Sequence, residues 1–181
     1  MDELTKLKQG ISESRKHYLN SVRNLTTEQG SFKPSDNVWS AAEITEHLYH
    51  AEVGGIVGMW KALEGARAGN PPWKEKHFNK GLSIEQVVDK TWQPKEKVPE
   101  GAGPRMFGPI KFWVNAFESC QYMLDNLTDN LKDEKLEILI YPHPISGPLD
   151  IRQRFEFLRF HTDRHRLQVE NLKQSPAFPK L

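Results

Sequence analysis

Apolar residues recur at helical spacing along most of the chain. Leu4, Ile11, Tyr18 and Leu25 fall every seventh residue, with Leu7 filling a second row. Ile44, Leu48, Ala51, Gly55, Gly58 and Ala62 make a second stripe. The third runs through Ile110, Trp113, Phe117, Cys120, Leu124, Leu127 and Leu131, in alternating steps of three and four. A fourth joins Ile151, Phe155, Leu158, Val169 and Leu172. Such steps place one apolar side chain per turn on one face, the seam of a helix packed against other helices. Four segments of this kind predict an all-α fold, an antiparallel four-helix bundle, with residues 1–181 forming one domain.

Local signals sharpen the boundaries. In "VWSAAEI" Ser40 is placed to cap segment two and Glu43 to close a capping box, while Trp39 and Ile44 flank the cap as a hydrophobic staple. The small residues late in the second stripe allow a neighbour to approach closely. Between segments two and three lies an insert, residues 67–108, that is too long for a hairpin loop. Its "GNPPWKEKHFNKG" and "QPKEKVPEGAGPRMFGP" read as loop, and "SIEQVVDKTW" as a short helix capped by Ser83 with Gln86 in the third position. Trp73, Phe78, Trp92 and Phe107 make a folded flap the expectation there. In "LEILIYPHPISGPLD" Leu136 to Tyr141 reads as a short strand, followed by a turn into the last helix.

Composition narrows the classes of function. Lys and Arg number 25 against 24 Asp and Glu, a formal charge of +1, with no basic block or stripe. Nucleic acid is therefore not an expected partner. The opening "MDELTKLKQG" lacks the apolar core of a signal peptide, and no stretch approaches the roughly 18 apolar residues of a membrane span. A cytoplasmic protein without membrane partners is the expectation. The single cysteine, Cys120, lies inside the third seam and reads as a buried apolar residue rather than a nucleophile.

Histidines break the apolar logic. His161 and His165 interrupt the fourth stripe at i and i+4, which places both rings on one face about one turn apart. That spacing suits two ligands of one metal ion. A third ring comes from "EITEHLYHAE", where His47 sits on the edge of the second stripe; His50 competes with it, and spacing alone does not separate them. Three buried imidazoles without partners would leave polar atoms unsatisfied, and a divalent cation satisfies them together. Around them, Gln168 is on the right face to orient a ring. Asp163 lies about 200° around the helix from His161 and should face solvent. Glu46 and Glu52 are near in sequence, Glu43 is engaged in the cap, and His143 reads as a loop histidine. His17 and His77 have no supporting context. Arg164 is expected in a surface or dimer salt bridge, and a homodimer is a candidate assembly.

Two stretches, "WSAAEITEHLYHAE" at 39–52 and "HPISGPLDIRQRFEFLRFHTDRHRLQ" at 143–168, resemble the DinB-like family of four-helix-bundle metalloproteins. In that family a Trp-Ser opening precedes the second helix, whose histidine is followed by Leu, and the last helix follows an "HP..G.L" turn and carries "H..RH..Q". The resemblance implies a metal site of His47, His161 and His165, with His50 left out. It covers four helices in order, although the 67–108 insert is longer than the family pattern leads one to expect.

The family includes metal-dependent hydrolases and thiol S-transferases, so the resemblance implies a divalent ion, zinc or nickel, acting on a small-molecule substrate that can be a low-molecular-weight thiol. Three histidines leave the ion at least one open position. No catalytic side chain is singled out; the expected reactive group is a metal-bound water, with Gln168 in support. The contrasting expectation is a non-catalytic, metal-stabilised bundle that dimerises or binds a partner through a helix face.

Overall fold

Each of the four stripes falls on one long helix, except that Leu25 of the first lies just beyond its helix. The computed structural model describes residues 1–93, 98 and 100–180. Helix α1 spans Glu3–Val22, α3 Ala41–Arg67, α5 Ile110–Leu131 and α6 Ile151–Lys173. A short α2, Thr27–Ser31, follows α1, and α4, Ile84–Thr91, lies in the insert where the Ser83 cap predicts it. The Ser40 hydroxyl accepts the Glu43 N–H at 3.2 Å and the Glu43 carboxylate accepts the Ser40 N–H at 2.7 Å. Asp150 and Gln153 close an equivalent box on α6, which starts at Ile151, the first residue of the fourth stripe. Caps of this kind each contribute about 1 kcal/mol.

Residue pairings give the helix directions. Glu3–Arg152, Gly10–Arg159 and Ser14–Asp163 pair at one constant offset, so α1 and α6 run parallel. Tyr49 meets Trp113 and Arg67 meets the Asn130 carbonyl, so α3 and α5 are parallel as well. Lys8–Asp125 and Tyr18–Phe117 make α1 antiparallel to α5. His47 beside His165 and Gly55 beside Leu158 make α3 antiparallel to α6. The antiparallel relation expected from the sequence thus holds for two of the neighbouring pairs only. This topology explains the insert. A chain that leaves α3 at Arg67 must return along the bundle before α5 can start parallel to it, and 27 residues of helix span about 40 Å.

The interior is apolar at both ends and polar between them. One cluster gathers Tyr18, Leu48, Trp113, Phe117 and Val169; the other gathers Ile11, Ile56, Leu63, Leu124 and Phe155. At the level between them Arg15 of α1 forms a buried ion pair with Glu52 of α3 and donates to the Gln121 amide oxygen of α5. Glu52, considered above for its closeness to His47 in sequence, is committed to this core pair. Burial pushes its carboxyl up, against the opposing pull of Arg15. Cys120 lies fully buried nearby, its thiol pushed up to about 12 by burial, with the Glu52 charge adding to the effect. It is unavailable as a nucleophile, as its place in the seam implied.

The linker before α6 differs from the single strand expected over Leu136 to Tyr141. Leu136–Ile138 forms a 3-10 turn, and β1, Ile140–His143, pairs antiparallel with β2, Gly147–Asp150, from Ile140 opposite Asp150 to His143 opposite Gly147. The crossover is bonded to this hairpin: the Asn79 amide donates to the carbonyls of Ser146 (2.7 Å) and Pro148 (3.0 Å). The Gln153 amide donates back to the Asn79 carbonyl at 2.7 Å. Trp92 joins the flap's packing, but Phe107 is 73% exposed and takes no part in it. Part of the loop expected in "QPKEKVPEGAGPRMFGP", residues 94–97 and 99, lies outside the described residues.

Candidate metal centre

The metal-ligand candidates sit where α3 and α6 cross. His47 lies one turn beyond the Ser40 cap region on the face that meets α6, and His161 and His165 stack on successive turns opposite it. The structure brings these three rings together. His161 Nε2 lies 3.1 Å from His47 Nε2 and 3.1 Å from His165 Nε2. One nitrogen from each ring falls within 4.8 Å of the others. All three side chains are buried, with 4–6% of their surface exposed. His50 stays out of this cluster although it lines the same cavity: its Nε2 is 3.6 Å from Glu46 and its ring packs against Trp113. The choice between His47 and His50 that spacing leaves open is made by this geometry.

Second contacts set the tautomers. His47 Nδ1–H donates to the Ala102 carbonyl at 2.7 Å, and His165 Nδ1–H donates to the Gln168 side-chain oxygen at 2.6 Å. A neutral imidazole carries one proton, so both rings present an Nε2 lone pair to His161. His161 has one Nε2 proton at most and can satisfy only one of them. Burial depresses the basicity of all three, His161 well below the ordinary imidazole value and His165 down to about 3. Extra protons are therefore not the solution. A cation that accepts three lone pairs is, and two imidazole nitrogens bound tetrahedrally at about 2.0–2.1 Å would lie about 3.4 Å apart. The three buried histidines could hold a metal ion.

The centre opens onto a cavity of about 890 Å³. Its walls come from α3, α6, the β1–β2 turn and the crossover, which contributes Trp92, Val98, Gly101 and Ala102. Trp39 packs on the His47 ring at 5.1 Å, beyond its place in the staple, and Phe157 stacks on His161 at 5.4 Å. Gly55 and Gly58 allow the close approaches that shape the floor. A Cβ on Gly55 would lie 2.9 Å from Leu158 of α6, and one on Gly58 would lie 2.6 Å from the Tyr141 ring of β1.

The matching family model, the DinB superfamily, covers residues 11–169, from the middle of α1 to beyond His165. The chain belongs to the DinB superfamily. It is similar to a protein of Bacillus subtilis (strain 168) named "Uncharacterized protein YuaE", with 27% identity over 165 residues, 91% of this chain and 95% of the relative. No solved structure matches the chain. Among the described residues of this DinB member, no helix is long and apolar enough to cross a membrane.

Other residues singled out in the sequence find different places. Gln168 is at the site, on His165. Asp163 accepts from Ser14 of α1 at 2.8 Å, away from the cavity. Glu46 accepts the backbone N–H groups of Arg105 (2.6 Å), Met106 (2.7 Å) and Phe107 (3.1 Å), pinning the end of the crossover just after Ala102. His77 bonds Gln153 at 3.1 Å, and His17 is exposed. Arg164 lies 6.0 Å over the Trp92 ring on the cavity rim and makes no ion pair within the chain among the described residues.

Two cavity residues escape the sequence reading. His143 is more than a loop histidine: its Nδ1 accepts the N–H groups of Ile145 (3.2 Å) and Ser146 (3.1 Å), and its ring packs 4.4 Å from Phe157. Burial holds it down to about 3, with the Arg154 charge acting the same way. Arg154 itself lines the cavity. Its signal was available, since an arginine beside Phe155 and seven residues before His161 shares the ligand face of α6.

Proposed function

We propose that this DinB superfamily member is a metal-dependent enzyme acting on a small molecule, by hydrolysis or by S-transfer involving a low-molecular-weight thiol. His47, His161 and His165 hold a divalent ion, zinc or nickel, through their Nε2 atoms. The observation that carries this reading is the convergence of three buried histidines, two of them tautomer-fixed, on the wall of an open cavity of about 890 Å³. Imidazole suits both metals, so the donor set leaves their choice to experiment.

A divalent ion in an open three-histidine site supplies Lewis acidity, lowering the pKa of a bound water or thiol towards neutrality. The chain's own residues supply the rest. Ala102 and Gln168 orient two rings and raise their basicity as ligands. Trp39, Trp92 and Phe157 narrow the cavity and exclude water. The crossover, held by Glu46, closes one side.

Metal analysis of protein purified without a histidine tag tests the reading. About one zinc or nickel per chain is expected, lost in His161→Ala. Absorption of the cobalt-substituted protein should change on adding small thiols, because the site keeps an exchangeable position. Absence of stoichiometric metal overturns the proposal. A saturated spectrum that ignores small molecules would favour the non-catalytic, metal-stabilised bundle instead.

A further inference from the structure

Arg154 enters the cavity from α6, seven residues before His161. Seven residues are just under two turns, so the two side chains share a face about 10 Å apart along the helix axis. The residue is 5% exposed, and its guanidinium lies 5.9 Å over the Tyr141 ring. Its Nε and Nη1 are buried and have no hydrogen-bond partner among the described residues. Of the nearest acids in sequence, Glu156 pairs with Arg159 at 2.7 Å, and Asp150 is engaged by the Gln153 N–H at 2.9 Å and by Arg152 at 3.3 Å. No Asp or Glu appears among the described residues that line the cavity, which carries a second arginine, Arg164, on its rim.

A buried cation with unfilled donors is costly, and such groups in folded proteins are ordinarily paired. Here the cavity is where a partner would sit. The guanidinium fork matches a carboxylate, whose two oxygens can accept two parallel N–H bonds. Tyr141 holds the flat face of the cation and leaves its N–H edges available. The same cavity wall carries the apolar Phe157, Leu158, Ile145 and Trp92, with the His143 ring packed on Phe157.

We infer that the cavity takes a small organic acid with an apolar body, its carboxylate gripped by Arg154 and its other end directed along α6 towards the three histidines. The role of that far end rests on the metal-site reading above; the carboxylate subsite stands on Arg154 and the cavity alone.

Calorimetric titration with hexanoate and with hexanamide tests the subsite, using protein both metal-loaded and stripped by a chelator. Hexanoate should bind about tenfold more tightly than hexanamide in both forms, the value of one charge-assisted contact. The preference should vanish in Arg154→Met and persist in part in Arg154→Lys. Equal binding of acid and amide by the stripped wild-type protein overturns the inference without any variant. A preference unchanged in Arg154→Met also overturns it, because the carboxylate would then be held elsewhere. Cobalt-substituted protein titrated with 6-mercaptohexanoate separates the two proposals. A spectral response with no acid preference leaves the metal reading standing and removes the Arg154 subsite. An acid preference with no spectral response does the reverse.

Discussion

His47 Nδ1 lies 2.7 Å from the carbonyl oxygen of Ala102, 55 residues further along the chain. A histidine of α3 thus takes its orientation from the crossover that leaves the same helix and returns. Glu46, the residue before it, receives three successive backbone N–H groups from Arg105 to Phe107 and holds that crossover in place.

Breaking this clamp should loosen the metal site from a distance. Glu46→Ala frees three backbone donors and lets Ala102 drift from His47. Metal affinity should fall about 10–100-fold, the usual loss when a ligand's orienting contact goes. Competition against a chromophoric chelator measures it, and Glu46→Gln, which keeps one acceptor oxygen, should fall between the two. Unchanged affinity in Glu46→Ala would mean that Ala102 is positioned without the clamp.

Gln168 should act the same way on the opposite ligand. Its side-chain oxygen accepts His165 Nδ1–H at 2.6 Å. Gln168→Ala leaves that N–H without an acceptor and should also weaken metal binding about 10–100-fold. Gln168→Glu keeps an acceptor and should restore binding. If both variants bind metal as the wild type does, the contact does not orient the ring.

The Arg15–Glu52 pair makes a prediction about stability that is independent of metal. Glu52→Ala leaves a buried guanidinium with Gln121 as its remaining partner, and should cost about 3–5 kcal/mol. Replacing both partners, Arg15→Met with Glu52→Leu, should recover most of that, since apolar neighbours lie on both sides. Urea unfolding of the metal-free proteins compares them; a double variant no better than Glu52→Ala would sink the argument.

Metal-free protein should lose stability on mild acidification. Burial holds His47, His50, His143, His161 and His165 below the ordinary imidazole value, with His143 and His165 near 3. The unfolded chain takes up these protons as pH drops through about 6.5, and the folded chain does not. Their stabilising contribution is therefore complete above about pH 6.5 and declines from there towards about pH 3. Each histidine adds up to about 1.4 kcal/mol per pH unit to the slope inside that window. Urea unfolding at intervals from about pH 7.5 to about pH 5 follows it above most of the carboxylate range. His143→Gln should make the slope shallower, and a flat profile in the wild type would contradict the burial argument.

The sequence by itself determined the four helices, the caps at Ser40 and Ser83, and the candidate ligands. Periodicity and capping depend on residues within a turn of each other, so the Ser40–Glu43 box, the Ser83 cap and the seam through Cys120 were all legible in a single strand of text. The two histidines at i and i+4 were legible for the same reason. Tertiary structure decided what is non-local. Helix direction follows from the crossover, whose length was visible but whose path was not, and that path makes α1 parallel to α6 and α3 parallel to α5. The choice of His47 over His50 needed the packing of α3 on α6, because both lie near the same stripe. Arg154 carried a helical-spacing signal, yet its meaning depends on the lack of an acid among the described cavity-lining residues and on a cavity closed by Tyr141, Trp92 and the crossover. An unpaired charge is defined by what surrounds it in space, and no local pattern of residues records that.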